Sequence, residues 1–148
     1  MNFLTIKAST PRPKKSGVNV TAMLTPSEIC LSYLASFATA DANKVAKHVT
    51  TNFVNEHTSA LGSSCTGKDE YLRRLPGFIS SMPDLSYEVE QISAEGKHVW
   101  AAYTLKAKIN GNQIMIRGAM HFEVIDDLIA KRVDYWDSQM FKQQVGLD

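Results

Sequence analysis

The sequence predicts an α+β domain, with helices first and an antiparallel sheet after them. Three observations carry this. A capping box opens a helical-period apolar stripe near residue 25. At Asp84 the apolar period changes to two. From there on, alternating runs are separated by short turn signals, Glu95-Gly96, Asn110-Gly111 and Asp126-Asp127.

The first helix starts at Thr25-Pro26-Ser27-Glu28, with Pro at the first helical position. Ile29, Cys30, Tyr33, Leu34 and Phe37 form its apolar stripe. Asp41 can cap a second, short helix through Val49, and a brief extended piece, Phe53 to His57, follows. After a Gly/Ser-rich loop, Gly67 to Met82 reads as a third helix. Its stripe is Tyr71, Leu72, Leu75, Phe78, Ile79 and Met82, and Pro76 predicts a kink or break. Four strands come next: Leu85 to Val89 and beyond, Val99 to Ile109, Ile114 to Val124, and Leu128 to Trp136. Asn110-Gly111 is the strongest hairpin signal, because both residues tolerate positive φ. Tight turns between neighbours predict an antiparallel meander with helices on one side.

The chain of 148 residues fits one domain, with an arm over 1–24 and a folded body over 25–148. Net charge is +1, but Lys7, Arg12, Lys14 and Lys15 put +4 on the arm and leave −3 for the body. The arm lacks interleaved aromatics, so a solvated leader is favoured over a nucleic-acid contact. Phe3-Leu4 and Ile6 make too short an apolar run for a signal peptide or a membrane span. Cys30 and Cys65 make neither a disulfide framework nor a metal site, and His48, His98 and His121 lie on different elements without metal spacing. The expectation is a cytoplasmic protein with reduced thiols, no metal and no membrane association.

In the third strand Ile114, Ile116, Gly118, Met120 and Phe122 share one face. The opposite parity gathers Met115, Ala119 and His121, with Trp100, Ala102, Val133 and Tyr135 from the neighbouring strands. That is much apolar surface for a solvated face, and a second subunit covering it, a homodimer through the outer sheet face, accounts for it.

Three stretches, in this order and spacing, resemble the nuclear transport factor 2-like superfamily. They are Met82-Pro83-Asp84-Leu85 entering the first long strand, Glu95-Gly96-Lys97-His98-Val99 at a turn, and Arg132-Val133-Asp134-Tyr135-Trp136-Asp137 in the last strand. The superfamily includes SnoaL-type polyketide cyclases, limonene-epoxide hydrolase and ketosteroid isomerase, and the resemblance covers roughly residues 25–142. It implies a cone-shaped α+β barrel, three N-terminal helices packed on a curved antiparallel sheet that encloses a pocket.

Carried over by position, the resemblance makes Asp134 the acid/base of the cyclases and epoxide hydrolase. Strand alternation puts Arg132 and Trp136 on the same side. The early strand, where ketosteroid isomerase keeps its base, brings Asn55 and His57. Tyr103, Leu105, Ile116, Met120 and Phe122 come from the middle strands and Phe37 from the first helix. Two departures matter. Tyr103 and Leu105 stand where the epoxide hydrolases hold an Arg and a second Asp, and Met120 stands where ketosteroid isomerase has a protonated acid.

Each polar residue has a plainer reading beside the functional one. Asp134 pairs with Arg132 or Lys131 on an exposed strand, His57 is a structural hydrogen bonder, and Tyr103 is packing. The functional expectation is a pocket for a small apolar molecule bearing one or two oxygens. Asp134 and His57 would be catalytic, in cofactor-free isomerisation, cyclisation or hydration, and Asn55 would hold an oxygen or a water. The alternative is a ligand-binding or dimer-forming module of the same fold without chemistry. A cavity of several hundred cubic ångströms lined by Asp134 and His57 favours an enzyme or a ligand binder, and a collapsed core favours the module.

Overall fold

The structure is a computed structural model and describes residues 24–147. The basic residues of the arm therefore lie outside the described residues. The capping box forms as the sequence predicts. The Thr25 hydroxyl accepts from the Glu28 amide at 3.2 Å and Glu28 reaches back to Thr25, starting α1, Pro26–Ser36. Ile29, Cys30, Tyr33 and Leu34 are buried along α1, and Phe37 is buried at the start of a single 3-10 turn, Phe37–Thr39. Asp41 caps α2, Ala42–Ala46, through the amides of Asn43 and Lys44. This helix ends earlier than the sequence suggests. By Val49 the chain has already entered β1, Val49–His57, because Val49 and Phe53 bury themselves on the sheet side rather than on a helical stripe.

The Gly/Ser-rich loop contains a two-residue strand, β2, Cys65–Thr66, and leads into α3, Lys68–Ser81. Pro76 neither breaks nor ends α3. It sits on the exposed side, where the carbonyl that loses its partner can turn to water. The meander follows as β3, Ser86–Glu95, β4, His98–Ile109, β5, Asn112–Ile125, and β6, Leu128–Trp136. Its turns use the left-handed conformation at Gly96, at Asn110 and Gly111, and at Asp126 and Asp127.

These four strands make up only part of one six-stranded sheet, ordered β2-β1-β6-β5-β4-β3. The neighbours are antiparallel except for β1 and β6, which run parallel with Asn55 opposite Arg132 and His57 opposite Asp134. Register shifts between Val89 and Gln91 and between Glu123 and Val124 bend the sheet. It curves around α1 and α3 as a cone that stays open rather than as a closed barrel. A fourth helix, α4, Ser138–Val145, capped by Asp137, follows the last strand. The Gln144 side chain accepts from the Met115 amide at 2.7 Å and donates to the Met115 carbonyl at 2.9 Å. β6 pairs with β5 only from Gly118 onward, so Gln144 covers part of the edge that β6 leaves bare.

The outer sheet face is apolar around Trp100 and Tyr135, as the parity predicts, but toward Met115 the ion pairs Lys106–Glu88 and Arg117–Glu90 occupy it. Val133 is buried, while Trp100, Met115 and Tyr135 are 47%, 51% and 45% exposed. Trp100 stacks on Tyr135 at 5.9 Å between ring centroids and leans on His121 at 4.8 Å. No helix among the described residues is long and apolar enough to cross a membrane.

Candidate active site

Two adjacent parallel strands build the polar end of the interior. Alternation turns Asn55 and His57 of β1 inward, and Arg132, Asp134 and Trp136 of β6 inward beside them. Arg132 and Asp134 are both buried and are bonded to each other, Nη2 to Oδ2, at 3.0 Å. A buried guanidinium needs more than one partner to offset its lost hydration. The Nη1 group of Arg132 donates to the Tyr33 hydroxyl at 3.1 Å and to Asn55 Oδ1 at 3.4 Å. Its cationic carbon lies 5.7 Å from the Tyr33 ring centroid and 6.0 Å from that of Phe37. Only its Nε has no partner. Tyr33 in turn shares a 2.5 Å hydroxyl contact with Tyr71 of α3.

The second oxygen of Asp134, Oδ1, accepts from the Tyr103 hydroxyl at 2.5 Å. Burial pushes the Asp134 carboxyl up from its ordinary value, while the Arg132 charge and the two hydrogen bonds pull it back. Burial and the neighbouring Asp134 charge both raise the Tyr103 phenol, so it stays protonated and remains a donor. His57 Nδ1 lies 3.8 Å from Asp134 Oδ2, in range for electrostatic influence but beyond a hydrogen bond. That nitrogen instead accepts from the Trp136 indole N–H at 3.2 Å. Burial first, and then Arg132, lowers the His57 pKa to about 4, so the ring is neutral at pH 7.

These groups face a cavity of about 320 Å³, within the range of small-molecule sites. Of the residues expected there, Phe37, Asn55, His57, Tyr103, Leu105, Ile116, Arg132, Asp134 and Trp136 line it. Met120 and Phe122 do not. Both are wholly buried, and Phe122 packs edge-on against Tyr33 at 6.0 Å, so α1 covers this part of β5 before the cavity reaches it. Sequence reasoning missed much of the wall. Tyr71, Leu75, Phe78 and Met82 come from the apolar stripe of α3, Tyr87 from the parity of β3, and Leu61, Gly62, Ser63 and Cys65 from the loop. Phe141 of α4 also lines it, edge-on to Trp136. The stripe and the parity were visible signals for burial; nothing in them distinguishes a wall from a filled core. Among the described residues no group of three His, Cys, Asp or Glu side chains is placed to hold a metal ion.

An open, curved sheet wrapped around helices, with an apolar cavity ending on a buried polar pair, defines the nuclear transport factor 2-like cone fold. Within that class, the chain belongs to the SnoaL-like domain family, whose profile matches residues 31–132. Solved structures agree on the fold. A protein with a ketosteroid isomerase-like fold from Catenulispora acidiphila, solved with trimethylamine, superposes with a TM-score of 0.76 at 17% identity, over 84% of this chain and 96% of that one. A protein from Shewanella denitrificans assigned to the SnoaL-like polyketide cyclases gives 0.70 at 17%, over 82% and 96%. An LEH-like epoxide hydrolase from M. tuberculosis gives 0.68 at 21%, over 82% and 90%. At these identities the likeness is one of fold. No curated protein matches the sequence.

Proposed function

We propose that the protein binds a small, mostly apolar molecule bearing one or two oxygens and moves a proton on it without a cofactor, with Asp134 as the acid/base. The observation that carries this reading is the cavity itself: about 320 Å³ of largely apolar wall that ends on Asp134 and on His57 beside it. Arg132 and Tyr103 orient the carboxylate through one oxygen each, and each oxygen keeps a lone pair for a substrate C–H or a water. Isomerisation, cyclisation and hydration all begin with such a proton removal. His57 is neutral and already bonded to Trp136, so it serves the substrate oxygen, with Asn55, rather than relaying protons to Asp134. The residue sets of the epoxide hydrolases and of ketosteroid isomerase are incomplete here, at Tyr103 and Leu105 and at Met120, which turns the proposal away from those two reactions.

One observation favours a second reading, a ligand-binding module without chemistry. Asp134 is held at both oxygens inside a buried ion pair, an arrangement that also serves structure alone. Native mass spectrometry of the purified protein identifies what the cavity retains, and assays on that compound divide the readings. Turnover that falls by about 10²- to 10⁴-fold in Asp134→Asn, with binding kept, supports the enzyme. Undiminished turnover in the variant sinks Asp134 as the acid/base. Tight binding with no turnover in the wild type selects the module.

We also propose that a second copy of the chain covers the outer sheet face. Trp100 and Tyr135 are exposed there and stack with the half-buried His121 into one aromatic patch, and a two-fold interface sets like patches against each other.

A further inference from the structure

We propose that Trp136 locks His57 in the tautomer with its proton on Nε2. The corner between His57 and Asn55 then becomes a site for a hydrogen-bond-accepting oxygen of the ligand, such as a ketone, quinone or ester carbonyl. This deepens the pocket reading above and rests on it.

An indole N–H can only donate. The Trp136 Nε1 lies 3.2 Å from His57 Nδ1, so Nδ1 accepts and the single proton of the neutral ring sits on Nε2. The other tautomer would set one N–H against another across 3.2 Å. Its nearest carboxylate acceptor, Asp134 Oδ2, is 3.8 Å away and already takes Arg132. Burial keeps the ring from gaining a second proton near neutral pH, which would force the same clash.

Asn55 is fixed by the same logic. Arg132 has donors only, and its Nη1 approaches Asn55 Oδ1 at 3.4 Å, so the amide oxygen faces the guanidinium and the Asn55 Nδ2 group turns to His57. Asn55 Nδ2 and His57 Nε2 then stand 3.5 Å apart, the outer limit of a hydrogen bond that only the Nδ1–H tautomer could make, weaker than the 3.2 Å bond from Trp136. With Nε2 protonated both are donors, and both residues line the cavity. Neither has an acceptor of its own within the corner: the histidine lone pair belongs to Trp136 and the amide oxygen to Arg132. Two convergent N–H donors in an apolar cavity favour an oxygen with two lone pairs, and favour it more as negative charge builds on that oxygen. An ammonium or amine N–H placed there meets donors only. Trp136 is in this account a positioning residue, acting through His57.

The test uses the full chain labelled with ¹⁵N. At neutral pH the His57 ring shifts should show Nε2 protonated and Nδ1 bare, and Trp136→Phe should release the Nδ1–H tautomer. A protonated Nδ1 in the wild type, or populations unchanged in the variant, overturns the lock. If Trp136→Phe does not fold, the coupling across the hydrogen bond from Trp136 Nε1 to His57 Nδ1 decides the matter in the wild type, and its absence overturns the lock. Acetophenone and ethylbenzene, alike except for the carbonyl, test the oxygen site. Acetophenone should bind about tenfold more tightly and move the His57 Nε2–H signal. Equal affinities, or no binding of either, overturn the acceptor site. Full turnover in Asp134→Asn would sink the acid/base reading separately and leave the tautomer and the ketone preference standing.

Discussion

Gly118 lies directly across the β4–β5 ladder from Tyr103, and a Cβ at Gly118 would stand 2.5 Å from the Tyr103 hydroxyl oxygen and 2.8 Å from the Tyr135 carbonyl. The absent side chain is what lets the phenol reach Asp134. Gly118→Ala should push Tyr103 off Oδ1 and destabilise the fold by about 1–3 kcal/mol. Thermal unfolding reads the loss. Adding Tyr103→Phe to Gly118→Ala should cost less than Tyr103→Phe does alone, because the nearest clash, with the hydroxyl, is then gone while those with the ring carbon at 2.7 Å and the Tyr135 carbonyl remain.

Arg132 and Asp134 should behave as a pair rather than as two residues. Removing either alone, in Arg132→Met or Asp134→Leu, strands a buried charge and should cost about 3–5 kcal/mol in urea unfolding. Removing both should leave stability within about 1 kcal/mol of the wild type or raise it. Singles that cost little, or a double variant worse than either, would contradict the buried-pair account.

His57 should make stability pH-dependent on the acid side. Its pKa is about 4 in the folded chain, below the ordinary 6.5, because burial disfavours the cation. Between those values the unfolded chain binds more protons, so stability falls as pH drops from about 6.5 toward 4, by up to about 3 kcal/mol. Asp134, raised by burial, contributes a slope of opposite sign above its ordinary value. The wild type minus His57→Gln difference in urea stability across pH 4–7 isolates the histidine, and a flat difference would refute the shift.

Trp100→Glu should dissociate the proposed dimer without touching the cavity, since Trp100 lies on the outer face. Sedimentation should show a dimer for the wild type and a monomer for the variant, with ligand affinity unchanged. A wild-type monomer, or a variant that remains dimeric, removes the sheet-face interface.

The local signals were legible because they depend on neighbours in sequence. Thr25 to Glu28, the α1 stripe, the left-handed turns at Asn110-Gly111 and Asp126-Asp127, and the inward parity of Arg132, Asp134 and Trp136 all follow from capping, period and φ preference. Where contacts are distant in sequence, those signals stop. Parity could not show that Met120 and Phe122 are sealed under α1 while Ile116, on the same face, reaches the cavity. Also missed was α4, although Asp137 caps it and Phe141 and Val145 stand one turn apart on the core side; Phe141 closes one wall.

By itself, then, the sequence determined the first three helices, the meander, the faces of its strands and the residue types available to a site. Tertiary structure alone decided that β1 runs parallel to β6, which sets Asn55 against Arg132 and His57 against Asp134. It also decided that His57 is claimed by Trp136 rather than by Asp134, 3.2 Å against 3.8 Å. The physical reason is that a side chain's protonation and partners depend on burial and on separations of a few tenths of an ångström. Those are fixed only when strands far apart in the chain are packed side by side.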